Sequence, residues 1–206
     1  MVNLNRDFYN TFAAEFSDSR AAINPGIQRA LAMVDGSSVL DVGCGDGRVS
    51  KVLPDDCRYV GLDFSLNLIG RNARGEAAFA LADLVHPLPI ASQAFPVALC
   101  FAVLHHLPDR LSLMRELARV TRAGGWVAIS VWQFTHDERM RKKIVQDLGN
   151  GDFILDWERG GRGLRFVHEV SEAELTTLAG EAGLSVVEIF RSDGKSNDLS
   201  LYAIMQ

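Results

Sequence analysis

Val39-Leu40-Asp41-Val42-Gly43-Cys44-Gly45-Asp46-Gly47 decides how this 206-residue sequence is read. Val39 to Val42 is a short apolar run that reads as a buried strand. Three glycines at alternate positions follow, and Arg48 to Leu53 reads as the start of a helix. Glycine lets the backbone turn tightly and approach a ligand with no Cβ in the way. The start of a helix adds unpaired N–H groups suited to a polar or anionic ligand part. A tight strand-to-helix turn can use two glycines for packing alone; three, bounded by Asp41 and Asp46, point to a ligand loop. The spacing is G-x-G-x-G, with Arg48 where a dinucleotide fingerprint has its last glycine. A Walker loop fails as well. The only Gly-Lys-Ser is Gly194-Lys195-Ser196, and Ile189 stands where the earlier glycine is required.

Outward from this loop, short apolar runs alternate with helical segments. Tyr59 to Leu62 reads as a second strand, Leu66 to Ala73 as a helix, Ala77 to Ala82 as a weak third strand and Val97 to Phe101 as a strongly apolar fourth. A helix is expected from Asp109 to Thr121 with Leu111, Met114, Leu117, Ala118 and Val120 inward, and Ala123-Gly124-Gly125 turns into a fifth strand, Trp126 to Val131. This βαβ alternation predicts a mostly parallel sheet with helices on both faces. Asp63 ends the second strand, where an acid in a doubly wound sheet takes both ribose hydroxyls, and Asp83 follows the third. Asp41, Asp63 and Asp83 then line one crevice at the carboxyl ends of three strands, the usual ligand site of an open α/β sheet.

The flanks read differently. Residues 1–34 form a helical cap, with Tyr9, Phe12, Ala13 and Phe16 at helical spacing and a break at Pro25-Gly26. Residues 133–168 interrupt the rhythm: the segment is charged and glycine-rich with two isolated aromatics, Phe153 and Trp157, and is expected as an insertion over the open end of the sheet or as a solvated loop. Residues 169–206 supply a helix over Glu172 to Ala182 that Ser171 can cap, then two strands, Leu184 to Phe190 and Leu199 to Ile204, joined as a hairpin. One of that pair runs antiparallel to the rest. The whole chain is expected as one domain around a core at 37–132.

Composition narrows the function classes. The 21 basic and 26 acidic side chains give a formal charge of −5, which disfavours a general nucleic-acid coat or membrane-surface binder. Hydrophobic residues at 48% exclude a wholly disordered chain. The longest nearly unbroken apolar run, Ala94 to Leu104, is about half the length of a membrane span. No apolar segment follows the charges of the first residues, so a secretory leader is not expected. Cys44, Cys57 and Cys100 are odd in number and none forms C-x-x-C, and no H-x-x-x-H occurs, so neither a disulfide framework nor a metal site is expected, and the reading is cytoplasmic.

The loop at 39–47, with Gly61-Leu62-Asp63-Phe64-Ser65, Ala82-Asp83-Leu84, Phe101-Ala102-Val103-Leu104-His105-His106-Leu107 and Arg119 to Gly125, closely resembles the class I S-adenosylmethionine-dependent methyltransferases. The resemblance covers roughly 37–132. It implies an α/β fold with a Rossmann-like, doubly wound, seven-stranded mixed sheet whose last strand is antiparallel, and S-adenosyl-L-methionine as cofactor. By that likeness Asp41, Gly43, Cys44 and Gly45 hold the methionine end. Asp63 takes the ribose hydroxyls, Phe64 and Leu84 flank the adenine, and Asp83 accepts from its amino group. Phe101 and Ala102 offer backbone contacts to the methionine ammonium. One departure is Phe95-Pro96 where such proteins often read Phe-Asp.

At both ends the sequence is similar to the tRNA wobble-uridine carboxymethyl methyltransferases. The residues are Tyr9, Ala13, Phe16, Ser17 and Arg20 at the start, Val131-Trp132, Arg165 to His168 with Glu174-Leu175, and Asp193 to Asn197. That likeness implies esterification of a carboxylate on an anticodon uridine, with Tyr9 and Arg20 among the substrate contacts, and raises a partner subunit that no residue pattern indicates. Arg20, Arg165 and His168 are then the cations for an ionised acceptor, whereas His105 or His106 would serve as base for a hydroxyl or amine. Residues 133–165 carry seven Arg/Lys against six Asp/Glu, which is no RNA-binding stripe. A small-molecule O- or N-methyltransferase is therefore the alternative enzyme, and a cofactor-binding adaptor without catalysis the rival from another class. A nicotinamide oxidoreductase is more distant, and neither DNA nor a membrane is expected as a partner.

Overall fold

The computed structural model describes all residues except Ala21, Asn72, Arg74 and Glu76. In chain order the helices are α1 (Val2–Thr11), α2 (Ala13–Asp18), α3 (Pro25–Met33), α4 (Arg110–Val120), α5 (Glu138–Arg141) and α6 (Glu172–Glu181). The strands are β1 (Ser38–Val42), β2 (Arg58–Asp63), β3 (Ala78–Leu81), β4 (Phe95–Phe101), β5 (Thr121–Trp132), β6 (Ile144–Gly149), β7 (Asp152–Trp157), β8 (Gly163–His168), β9 (Val186–Ser192) and β10 (Ser200–Met205). Seven of them build the main sheet in the order β3-β2-β1-β4-β5-β10-β9. β10 lies antiparallel between β5 and β9, and the other pairings are parallel, as the α/β reading requires. No helix among the described residues is long and apolar enough to cross a membrane.

Strands buried on both faces explain the continuous apolar runs. Leu40, Ala98 and Cys100 point into a core closed by α4 and α6, while Val39, Val97 and Leu99 point into a second core closed by α3. Asp109 caps α4 by accepting from the Ser112 N–H at 3.1 Å, and Ser171 caps α6 from the Glu174 N–H at 3.1 Å. On α4 the inward positions are Leu113, Met114, Leu117 and Val120; Leu111 and Ala118, expected inside, are only half-buried. Gly26 lets α3 settle on β10, because a Cβ there would lie 2.2 Å from the Tyr202 ring.

Three expectations are corrected. The helix expected from Leu66 to Ala73 is a run of turns at its described residues, with Gly70 at φ 70° and Asn72 outside the described set. Asparagine and glycine weaken so short a helix, and Gly70 takes a backbone form that a helix does not use. The helix after the glycine loop is a single 3-10 segment, Arg48–Val52. The insertion is neither loop nor extension of the main sheet. It is a separate antiparallel sheet, β6-β7-β8, led in by α5. Asn5 on α1 joins it to the cap: its side chain accepts from the Phe166 N–H at 2.8 Å and donates to the Phe166 carbonyl at 3.0 Å. Cap and insertion together roof the carboxyl ends of β1, β2 and β4.

Candidate active site

Beneath this roof lie two chambers that share a wall. The inner one has about 930 Å³ of space, part of it open to solvent. The loop at 43–47 forms its floor. Gly43 and Gly45 have φ of 78° and 56°, a conformation that costs glycine little, and a Cβ on Gly43 would strike Val103 at 2.2 Å. Asp63 holds this loop: its carboxylate accepts from the Gly45 N–H and the Ser65 N–H, each at 2.8 Å. An ionised carboxylate has about four acceptor positions, so capacity remains for a ligand hydroxyl. Asp41 accepts from the Tyr59 hydroxyl at 2.7 Å, and burial, reinforced by Asp63 and Asp46, raises its carboxyl to about 7. Burial also raises Asp63, against the N–H groups that favour its ionised form.

Cys44, Phe64, Asp83, Leu84, Phe101 and Ala102 all line the same chamber. Ala102 has φ 58°, unusual without a glycine, and its N–H donates to the Ser130 carbonyl at 3.0 Å, so only its carbonyl is free to meet an ammonium. Asp83 is ion-paired with Arg6 of α1. Two acidic groups for hydroxyls and an amino group, a backbone cradle and apolar walls fit an adenosyl cofactor with an amino-acid tail.

The second chamber opens between α2, α3, β5 and the insertion, and shares Arg20, Ile27, Arg48, Phe101 and Ala102 with the first. Arg165 lies in its wall, 2% exposed, with Nε and Nη1 lacking a hydrogen-bond partner among the described residues. Its guanidinium sits 4.8, 5.1 and 5.3 Å from the ring centres of Phe8, Trp132 and Trp157. Arg20 lies over Phe16 at 4.1 Å, and burial lowers its guanidinium to about 10. Rings beside each guanidinium supply cation–π attraction but no hydrogen-bond acceptor.

The histidines divide. His106 lines the inner chamber, with Nδ1 2.8 Å from the Phe166 carbonyl and Nε2 2.8 Å from the Tyr9 hydroxyl. A carbonyl only accepts, so Nδ1 carries the hydrogen and Nε2 accepts from Tyr9. Burial, with Arg165 and Arg20 nearby, lowers His106 to about 3, so it is neutral at physiological pH. His105 and His168 do not reach either chamber. His105 Nδ1 accepts from the Trp132 N–H at 3.3 Å, and burial pushes the ring well below its usual range. His168 is clamped between Asp152 at 2.7 Å and Glu174 at 2.9 Å, tying β8 to β7 and α6. Their placement sets both apart from the expected set: His168 is held by two carboxylates, and His105 is buried beside Trp132 with Nε2 unpartnered among the described residues.

Sequence reasoning missed the aromatic cage of Phe8 and Trp132, and weighed Arg48 only as a break in a fingerprint. Trp157, an aromatic in a polar stretch, was the available signal. Arg48 donates to the Arg20 carbonyl at 3.3 Å and the Ala22 carbonyl at 3.1 Å, holding the segment that carries Arg20.

Comparison with known proteins agrees with this geometry. A family model described as a methyltransferase domain matches residues 14–189. A tRNA (carboxymethyluridine(34)-5-O)-methyltransferase from Arabidopsis thaliana is 36% identical over 128 residues; the match takes in 60% of this chain and 31% of that protein, so the chain spans about a third of that relative's length. A putative methyltransferase from Haloferax volcanii, solved in complex with the Trm112 methyltransferase activator, superposes with a TM-score of 0.73 at 18% identity over 97% of this chain and 96% of its own. The DhpI–SAM–HEP complex superposes with a TM-score of 0.71 at 19% identity over 100% of this chain and 97% of that one. With the fold, the glycine cradle and the family match in agreement, the chain belongs to the methyltransferase-domain family, and its glycine cradle and strand-end acids fit S-adenosylmethionine as the cofactor.

Proposed function

We propose that this methyltransferase esterifies a carboxylate borne on a tRNA wobble uridine. The observation that carries the reading is Arg165, a buried guanidinium with two unpartnered nitrogens in the wall of the chamber beside the cofactor site. Leaving such donors unsatisfied costs about 1–3 kcal/mol, more for a charged group, and an anionic acceptor recovers that cost. Arg20, shared by both chambers, would hold the same anion from the other side.

The cofactor, when bound, supplies a methyl group already activated on a sulfonium. The residues of the chain then have to bind the acceptor, orient it and exclude water, and positioning of this kind lowers a barrier by roughly 7–11 kcal/mol. An ionised carboxylate needs no base. The histidines suit that need: His106 is neutral with both nitrogens engaged, and His105 is walled off. In this reading Tyr9 and His106 fix the roof above the acceptor and do not move a proton. Asp41, Asp63, Phe64, Asp83 and Leu84 would hold the cofactor. The Arabidopsis relative's named activity agrees with the acceptor chemistry, and the Haloferax neighbour's activator extends the proposal to a partner subunit for this chain.

The test is label transfer from methyl-tritiated S-adenosylmethionine into an extract of the source organism, with the chain alone and with a Trm112-type subunit added. Label in RNA, removed by ribonuclease and released by mild alkali, is the expected result. Label confined to small molecules would replace this reading with a metabolite methyltransferase.

A further inference from the structure

We propose that the insertion carries a second anion station, at the mouth of the acceptor chamber, which binds a phosphate ester on the same molecule that bears the reacting carboxylate. The proposal rests on the carboxylate reading above and adds the substrate's second charged group.

As composition the insertion is nearly neutral, but folding sorts its charges. Of the seven basic residues in 133–165, Arg139, Lys142, Lys143, Arg159 and Arg165 line the chamber; of the six acidic ones only Asp156 and Glu158 do. Lys142 is paired with Glu138 at 2.9 Å, and Asp156 is occupied by Arg162 at 3.4 Å. Arg139, Lys143 and Arg159 have no ion pair among the described residues. Glu158 is the one insertion acid of that lining outside these pairs, so three cations face one carboxylate and the opening keeps a net positive charge in a chain of net charge −5, which calls for an anion.

The cations fall into two groups by depth. Arg165 is buried among rings, whereas Arg139 and Arg159 are exposed and Lys143 is half-buried. Burial, then Arg165 and Arg139, hold the Lys143 ammonium below its ordinary range, a strain that a nearby anion relieves. The dry inner site is shaped for one small planar anion. The wet rim presents long cations from α5, from the turn after it and from the β7–β8 turn, which suits the several oxygens of a phosphate. A free carboxylic acid would use the inner site and leave the rim unused.

The experiment uses the protein loaded with S-adenosylhomocysteine and titrates uridine, uridine 5′-monophosphate and a three-nucleotide uridine strand by calorimetry. The monophosphate is expected to bind at least tenfold more tightly than uridine, and the Arg139→Ala/Lys143→Ala double variant to lose that advantage while its S-adenosylhomocysteine affinity is unchanged. Tighter binding of the strand than of the monophosphate assigns the phosphate to RNA; equal binding assigns it to a single nucleotide, and both support the station. Equal binding of uridine and its monophosphate, no binding of either, or an advantage that survives the double substitution overturns it. Methylation of unphosphorylated 5-carboxymethyluridine is followed in parallel. Turnover there without a phosphate preference removes the station and keeps the carboxylate reading; a phosphate preference without turnover does the reverse.

Discussion

Arg165 combines two properties that are costly together, burial and missing hydrogen-bond partners. Its replacement by methionine should therefore raise thermal stability by about 1–3 kcal/mol, since an apolar side chain of similar length packs among the rings without desolvating a charge. The same variant should lose about a hundredfold in kcat/KM for the acceptor while its dissociation constant for S-adenosylhomocysteine stays within twofold. Equal losses in both would make Arg165 a structural residue. Asp63→Ala should weaken S-adenosylhomocysteine binding by roughly ten- to a hundredfold, the worth of hydrogen bonds to a charged group; an unchanged dissociation constant with the fold intact would remove Asp63 from the cofactor site. Asp41 gives a pH signature. Its carboxyl stands near 7 in the folded chain and near 3.8 unfolded, so between these values the folded state keeps a proton that the unfolded state has released. Stability from this group is full below about 3.8 and is lost as the pH rises through about 7. Denaturant titrations at pH 5 and pH 8 should show Asp41→Asn gaining about 1–3 kcal/mol on the unmodified chain across that interval. No gain would mean that Asp41 is ionised throughout.

Roof and sheet depend on single joints between elements. Asn5 satisfies both backbone groups of Phe166, whose carbonyl also accepts from His106. Asn5→Ala leaves the buried Phe166 N–H without an acceptor, so hydrogen exchange at that amide should accelerate at least tenfold and stability fall by about 1–3 kcal/mol. Exchange at an unchanged rate would mean that α1 and β8 are held together elsewhere. The central main-sheet strands β1, β2, β4, β5 and β10 were legible in the sequence because burial on both faces writes them as apolar runs, whereas the edge strand β3 is mostly exposed and reads weakly. The small sheet was not legible, because β6 is mostly exposed and carries no run. Its hairpin did leave a signal, Gly149-Asn150-Gly151, with φ of 84°, 52° and 82°, a left-handed turn that this residue order favours. The expected helix at 66–73 failed for the converse reason: Leu68 is buried by the cap above it, so its apolar character reports packing from outside the segment.

At the scale of the whole molecule, folding brings together what the sequence lists separately. The glycine loop and the three strand-end acids were readable in order, because a doubly wound sheet places consecutive strand ends side by side. The second chamber was legible only in part: Arg20 and Arg165 stood out, but the rings of Phe8, Trp132 and Trp157 around Arg165 did not, because they come from the cap, β5 and the insertion. A count of charges in the insertion hid their segregation onto one face. His105 and His168 show the opposite limit: their chemistry suited the site, and only the folded structure shows that neither ring lines either chamber. Transfer of a methyl group to a carboxylate is decided by purified protein given methyl-tritiated S-adenosylmethionine and an anticodon stem-loop containing 5-carboxymethyluridine. Incorporation that mild alkali releases as methanol is expected. Incorporation that resists alkali, or none with S-adenosylhomocysteine binding intact and a Trm112-type subunit present, would contradict it.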